Sequence, residues 1–260
     1  MKQAFAASLQ RARDVFQRYE FEGRLEVCRC KVCVSPAVDQ ALATTPRDQM
    51  PATLLSEYTH SAHPWTERVA DEFRFLLPRY FELIVADDIP SQFGIECCLD
   101  RLSCAVYRQN WPEIEADVID AFFLVLFQDC LSTPIEFAGG HLEFYSADER
   151  AEQILCMVAN AGGDIHPLLR TWETAKGRNP TFRLAHMIVT ADWSKDRLRN
   201  SAWLQRFRPN VEVEMKAVVG WLSRSTVRER LEQACLEESE PELAEILSHA
   251  ESIVGRLVQT

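Results

Sequence analysis

The sequence predicts an all-α protein, an irregular multi-helix bundle that can divide into two helical subdomains, and three observations carry that reading. Apolar residues recur at helical spacing through most of the 260 residues. The alternation of half-buried strands is almost absent. Nine glycines are few for the tight turns of an all-β chain.

The first helix is expected from Lys2 to Glu22, with Phe5, Leu9, Ala12, Phe16 and Tyr19 on one stripe and Gly23 as its stop. Ser35-Pro36 has the form of an N-cap followed by proline at the first helical position, and Met50-Pro51 opens a further helix. Thr66 to Ala86 places Val69, Phe73, Leu76, Leu77, Tyr80, Phe81 and Ile84 on one wide apolar face. Pro78 lies inside that stretch. A proline removes a backbone donor and crowds the preceding turn at a cost of about 3 kcal/mol, which predicts a kink or break near Leu77. Phe93 to Arg108 and Pro112 to Leu131 are dense in apolar residues and are expected as helices in the middle of the core.

Ser132 to Tyr145, with Thr133-Pro134 and Gly139-Gly140, reads as a linker that separates a helical subdomain over 1–133 from another over 146–260. Ser146-Ala147-Asp148-Glu149 is a capping box, and Gly162-Gly163 closes the helix it opens. Shorter helices follow at 164–176, 180–191, 201–207, 211–223, 225–238 and 241–258. No repeat of fixed period appears, so a solenoid is not expected.

The longest apolar run, Ala121 to Phe127, is far short of the roughly 20 residues that span a bilayer. The opening residues run into Arg11, Arg13 and Asp14 with no secretory apolar region, so a cytoplasmic location is expected. Nine cysteines in such a chain should be reduced. A net charge of −11 opposes nucleic acid and anionic membrane and suits a basic protein partner.

Cys28-x-Cys30-x-x-Cys33 is the sharpest local feature, because two thiolates separated by two residues can grip one tetrahedral zinc from a single turn. His60 and His63 can complete a mixed site if the turn folds back on them. A redox dithiol is the competing functional reading, and structural thiols packed in a turn are the default account. The carboxylates Glu237, Glu238, Glu240 and Glu242, with Asp87 and Asp88 as a second group, are candidate contacts for a basic partner; helix-end charge is their ordinary explanation. Gly-x-Ser-x-Gly, His-Glu-x-x-His and Walker patterns are absent, and no catalytic residue is assigned.

The run Cys30, Cys33, Val34, Ser35, then Thr45-Pro46-Arg47, Leu54-Leu55-Ser56-Glu57-Tyr58 and Ser61-Ala62, ends in Asp71-Glu72-Phe73-Arg74-Phe75-Leu76-Leu77-Pro78-Arg79-Tyr80-Phe81-Glu82-Leu83. It resembles a family of uncharacterised bacterial proteins with a Cys-x-x-Cys-Val-Ser turn followed by a Phe-Leu-Pro-Arg-x-x-Glu-Leu-like helix. Members of such families are similar in general character to immunity proteins, which bind and block a toxin's catalytic domain. The resemblance implies an antitoxin-like protein that neutralises a bacterial toxin by occluding its active site. The alternative is a zinc-binding or thiol-dependent enzyme or sensor centred on Cys30 and Cys33.

Overall fold

The computed structural model describes residues 2–21, 23–30, 32–62, 65–135, 149–190 and 212–258, and among them every regular element is helical. The chain is all-α, as its periodicity requires. No described helix is long and apolar enough to cross a membrane. Two compact units divide the chain: Met1–Leu126 with Asn160–Gly163, and Phe127–Ala159 with Asp164–Thr260.

The first unit contains α1 (Lys2–Phe16), α2 (Pro36–Thr44), α3 (Ala52–His60), α4 (Glu67–Val85), α5 (Arg101–Ala105), α6 (Tyr107–Asn110) and the N-terminal part of α7 (Glu113–Ser132). Single 3-10 turns lie at Arg47–Gln49 and Ile95–Cys97. Helix α4 is the centre of this unit, since eleven of its nineteen residues are buried. Thr66 caps it by accepting from the Val69 amide at 3.2 Å. Phe81 stacks on Phe122 of α7 with ring centroids 3.8 Å apart, and each such buried side chain contributes roughly 1.5–3 kcal/mol.

Three sequence expectations need correction here. The first helix ends at Phe16 rather than Glu22. The fully buried Glu115 draws the following residues out of helical register, accepting from Arg18, from Tyr19 Oη at 2.5 Å and from Arg74 Nε at 3.2 Å. Helix α4 runs unbroken through Pro78. The missing hydrogen bond is offset by burial of Leu76, Leu77, Pro78, Tyr80 and Phe81, and by Arg79 Nε, which ties the same turn to the Met50 carbonyl at 2.8 Å. The helix expected over Phe93 to Arg108 is instead a 3-10 turn and two short helices. Val106 breaks it by adopting φ +47°, and Asn110 Nδ2 satisfies the freed Ala105 carbonyl at 3.1 Å.

The second unit contains α8 (Arg150–Asn160), α9 (His166–Thr174), α10 (Arg178–Thr190), α11 (Glu212–Leu222), α12 (Ser225–Glu237) and α13 (Pro241–Val258). Helices α10, α12 and α13 pack on one another, and α9 packs on α11. Trp172 is their anchor: it is fully buried, meets Phe127 edge-on at 5.5 Å and Trp221 at 5.4 Å, and donates its indole N–H to the Pro180 carbonyl at 2.7 Å. Most of the expected linker and its capping box (136–148) and the helix expected at 201–207 lie outside the described residues.

Candidate functional site

The extended segment Arg24 to Arg29 leads into the cysteine turn, and its sequence explains why it is held so firmly. Leu25 and Val27 point into the core, 2% and 4% exposed. The Glu26 and Cys28 amides and the Arg24 and Arg29 side chains of this segment are bonded to side chains from three different helices or their ends. Glu26 N donates to Glu72 Oε2 of α4 at 2.9 Å, and Cys28 N donates to Ser61 Oγ at 2.7 Å. Asp39 of α2, itself buried, receives Arg24 Nη1 at 2.8 Å and both Arg29 Nε and Nη2, at 3.0 and 3.1 Å. Burial would raise the Asp39 carboxyl, but the Arg29 hydrogen bond, with Arg29 and Arg24 charge behind it, holds it below the usual carboxylate range.

Beyond the turn, Ser35 Oγ accepts from the Val38 amide at 3.3 Å and Pro36 starts α2, as Ser-Pro at a helix entry favours. Ser61 is fixed in turn by Arg101, whose Nη2 donates to the carbonyls of Tyr58 at 2.8 Å, Thr59 at 3.0 Å and Ser61 at 2.9 Å. One buried guanidinium thus serves the carbonyls at the end of α3, of which that of Tyr58 also accepts from the Ser61 amide at 3.3 Å.

On this base the three sulfurs of Cys28, Cys30 and Cys33 come within 4.8 Å of one another. Three thiolates 2.3 Å from a tetrahedral zinc stand roughly 3.8 Å apart, so the cluster needs only a small contraction to close on an ion. Cys30 is exposed and Cys28 and Cys33 half-buried. The Cys30 thiol pKa is lowered from 9.0 to about 7 by the backbone amides of Val32 and Cys33 and by the two neighbouring thiols, and the Cys33 amide lies 3.3 Å from Cys30 Sγ. Cys33 is shifted upward, chiefly by Cys30 and then Cys28. Cys30 therefore ionises ahead of Cys33, and its neighbours hydrogen-bond to the resulting thiolate.

The turn does fold back on the segment after α3, through Ser61 and through the Ala62 amide that faces Cys33. His60 does not join it. Its Nε2 pairs with Ser91 Oγ at 3.0 Å, its ring meets Phe93 edge-on at 4.6 Å, and burial with the nearby Arg101 charge lowers its pKa, which keeps it neutral. His63 lies outside the described residues.

The acidic candidates fall in different units. Asp87 and Asp88 are exposed at the end of α4, where Asp87 takes the left-handed conformation (φ +59°) and the Asp88 amide returns to the Leu83 carbonyl, a helix-stop role. Glu237, Glu240 and Glu242 are exposed, whereas the Glu238 side chain is 8% exposed and shares Arg178 with Glu240. Sequence reasoning found the three cysteines but not Asp39, Ser61 or Arg101, whose contacts span ten to forty-three residues and leave no local pattern.

No protein-family model, curated protein or solved structure matches this chain.

Proposed function

We propose that this protein binds a soft divalent metal ion, zinc by default, through Cys28, Cys30 and Cys33, and works as a metal-responsive protein with one exchangeable coordination position. The convergence of the three sulfurs on one exposed turn supports this most directly. Among the described residues three thiolates converge, and this leaves the fourth tetrahedral place to water or to a further donor, the arrangement of a site that exchanges ligands rather than one that only staples a fold. The fold around the turn is complete without an ion, because its amides and arginines already have partners in Glu72, Ser61 and Asp39. Metal analysis of protein purified without chelator tests the reading: close to one zinc per chain is expected, and less than about 0.1 per chain counts against it.

The low pKa of Cys30 favours a second reading, dithiol exchange. In it the Cys30 thiolate attacks a partner disulfide, releasing one partner thiolate. Cys33 then displaces the other, leaving a Cys30–Cys33 disulfide and a reduced partner. Protein that carries no metal but accumulates a mixed disulfide in a Cys33→Ser variant would select it. Toxin neutralisation rests on the net charge, the lack of a catalytic motif and the resemblance of the Cys30 to Leu83 stretch to the bacterial family; of its proposed contacts, Glu238 and Glu240 are already matched by Arg178.

A further inference from the structure

The second unit holds a cleft of about 780 Å³ lined by α10, α12 and the loop joining α9 to α10. Phe182, Leu184, Trp221, Val227 and Ala234 supply the apolar part of its lining. Among the described residues, the charged groups around the cleft are matched except for the exposed Lys176 and the half-buried Arg230. Arg178 holds Glu238 and Glu240, Arg224 holds Glu173 at 3.0 Å, and Gln233 Nε2 donates to Glu237 at 2.5 Å.

Of these two, Arg230 is the one withdrawn from solvent. Its Nε donates to Thr181 Oγ1 at 2.9 Å and its Nη1 to the Trp172 carbonyl at 2.7 Å, two neutral acceptors. Its Nη2 is buried with no acceptor, and so is the indole Nε1 of Trp221, a residue only 2% exposed. No described carboxylate pairs with this guanidinium, and burial alone lowers its pKa to about 10. A half-buried cation without a counter-ion and two orphaned donors among the residues that line this cleft are costly to keep unless something with acceptor atoms visits them. Both atoms are closed to bulk water, so solvent does not serve; the arginine side chain has to yield slightly to present Nη2.

We propose that this cleft binds a small organic carboxylate with an aromatic body, the carboxylate held by Arg230 and the ring lying against the apolar lining of Phe182, Trp221 and Val227. The apolar lining distinguishes such a ligand from an inorganic anion, and the uncompensated arginine distinguishes it from a neutral one. The pairing is charge-assisted, and Arg is suited to a planar acceptor.

Calorimetric titration of the full chain with 3-phenylpropionate, its neutral amide 3-phenylpropanamide and inorganic phosphate tests this. Saturable binding of the carboxylate is expected. The amide should bind at least about tenfold more weakly, since a hydrogen bond to a charged group contributes more than about 1.4 kcal/mol, the equivalent of that factor. Phosphate should give no saturable heat. Ala234→Trp fills the cleft while leaving the bonds of Arg230 to Thr181 and Trp172 in place, and it should abolish binding in a protein that still folds. Arg230→Met should abolish it too, and if that variant fails to fold the amide comparison on the wild-type chain decides the same point. Equal affinity for amide and carboxylate, equal affinity for phosphate, undiminished binding by Ala234→Trp, or no saturable response to the carboxylate would each overturn the assignment.

Discussion

At pH 7 the Cys30 thiol, with its pKa lowered to about 7, is about half ionised, whereas a thiol at the ordinary value of 9.0 is about 1% ionised. The gain in reactivity is smaller than this roughly fiftyfold ratio. A thiolate loses nucleophilicity as its pKa falls, with a Brønsted slope of about 0.4–0.5, and over two pKa units that costs roughly eightfold. Cys30 should therefore react with iodoacetamide at neutral pH roughly sixfold faster than an ordinary exposed thiol, and ahead of Cys33, whose pKa moves upward. Pulsed alkylation of the reduced, metal-free protein from pH 5.5 to 9.5, read by peptide mass spectrometry, gives both the order and the midpoint. Modification of Cys33 before Cys30, or a Cys30 midpoint no lower than that of the exposed Cys104, would show that the Val32 and Cys33 amides do not stabilise the thiolate as argued.

Asp39→Ala frees Arg24 and Arg29, each about half exposed, so its cost should fall between a surface and a buried ion pair, about 1–2 kcal/mol by urea denaturation. Because the Asp39 carboxyl is held below its unfolded value of about 3.9, its contribution is present above that value and lost as pH falls through the lowered folded one; the variant and wild type should converge in acid. The same variant should loosen the turn and weaken metal affinity by roughly tenfold, the low end of what losing an outer support costs. Arg101→Met removes the donor shared by Tyr58, Thr59 and Ser61 and should destabilise by about 2–4 kcal/mol, seen as a lowered urea midpoint; an unchanged midpoint would mean that the end of α3 is satisfied by other means. Chelation should leave helical circular dichroism unchanged, since the turn is anchored without the ion; loss of helix would make the site a structural staple instead.

Helical periodicity carried most of the fold because each amphipathic stretch has a single way to bury its apolar face. The bounds expected at 241–258 and 225–238 fall within a residue of α13 and α12, where Ser225 and Pro241 punctuate the chain. The misreadings share one cause, tertiary contacts overriding local pattern. Glu115 lies nearly a hundred residues from Tyr19, so nothing near Phe16 announces the early end of α1. The left-handed Val106 is unreadable because valine ordinarily avoids that conformation. At the site, the cysteine spacing was legible because ligands from one turn must be close in sequence. The side chains that hold the turn in place were not, since Asp39, Ser61 and Arg101 arrive from separate helices or their ends. Both fates of His60, ligand or core contact, share one sequence, and only the position of Ser91 and Phe93 decides between them. The Arg230 cleft leaves no sequence signal, because an unmatched arginine is defined by the carboxylates that packing keeps away from it.

Titration of the reduced, metal-free protein with cobalt(II), followed by displacement with zinc, tests the central claim most directly, since thiolate-to-cobalt charge transfer counts sulfur ligands and the visible bands report tetrahedral geometry. A binding endpoint of one equivalent, a charge-transfer band of three-thiolate strength that falls in each of Cys28→Ser, Cys30→Ser and Cys33→Ser, and complete displacement by zinc are the predicted results. A weak octahedral spectrum without charge transfer, or a signal that survives replacement of all three cysteines, would contradict the account.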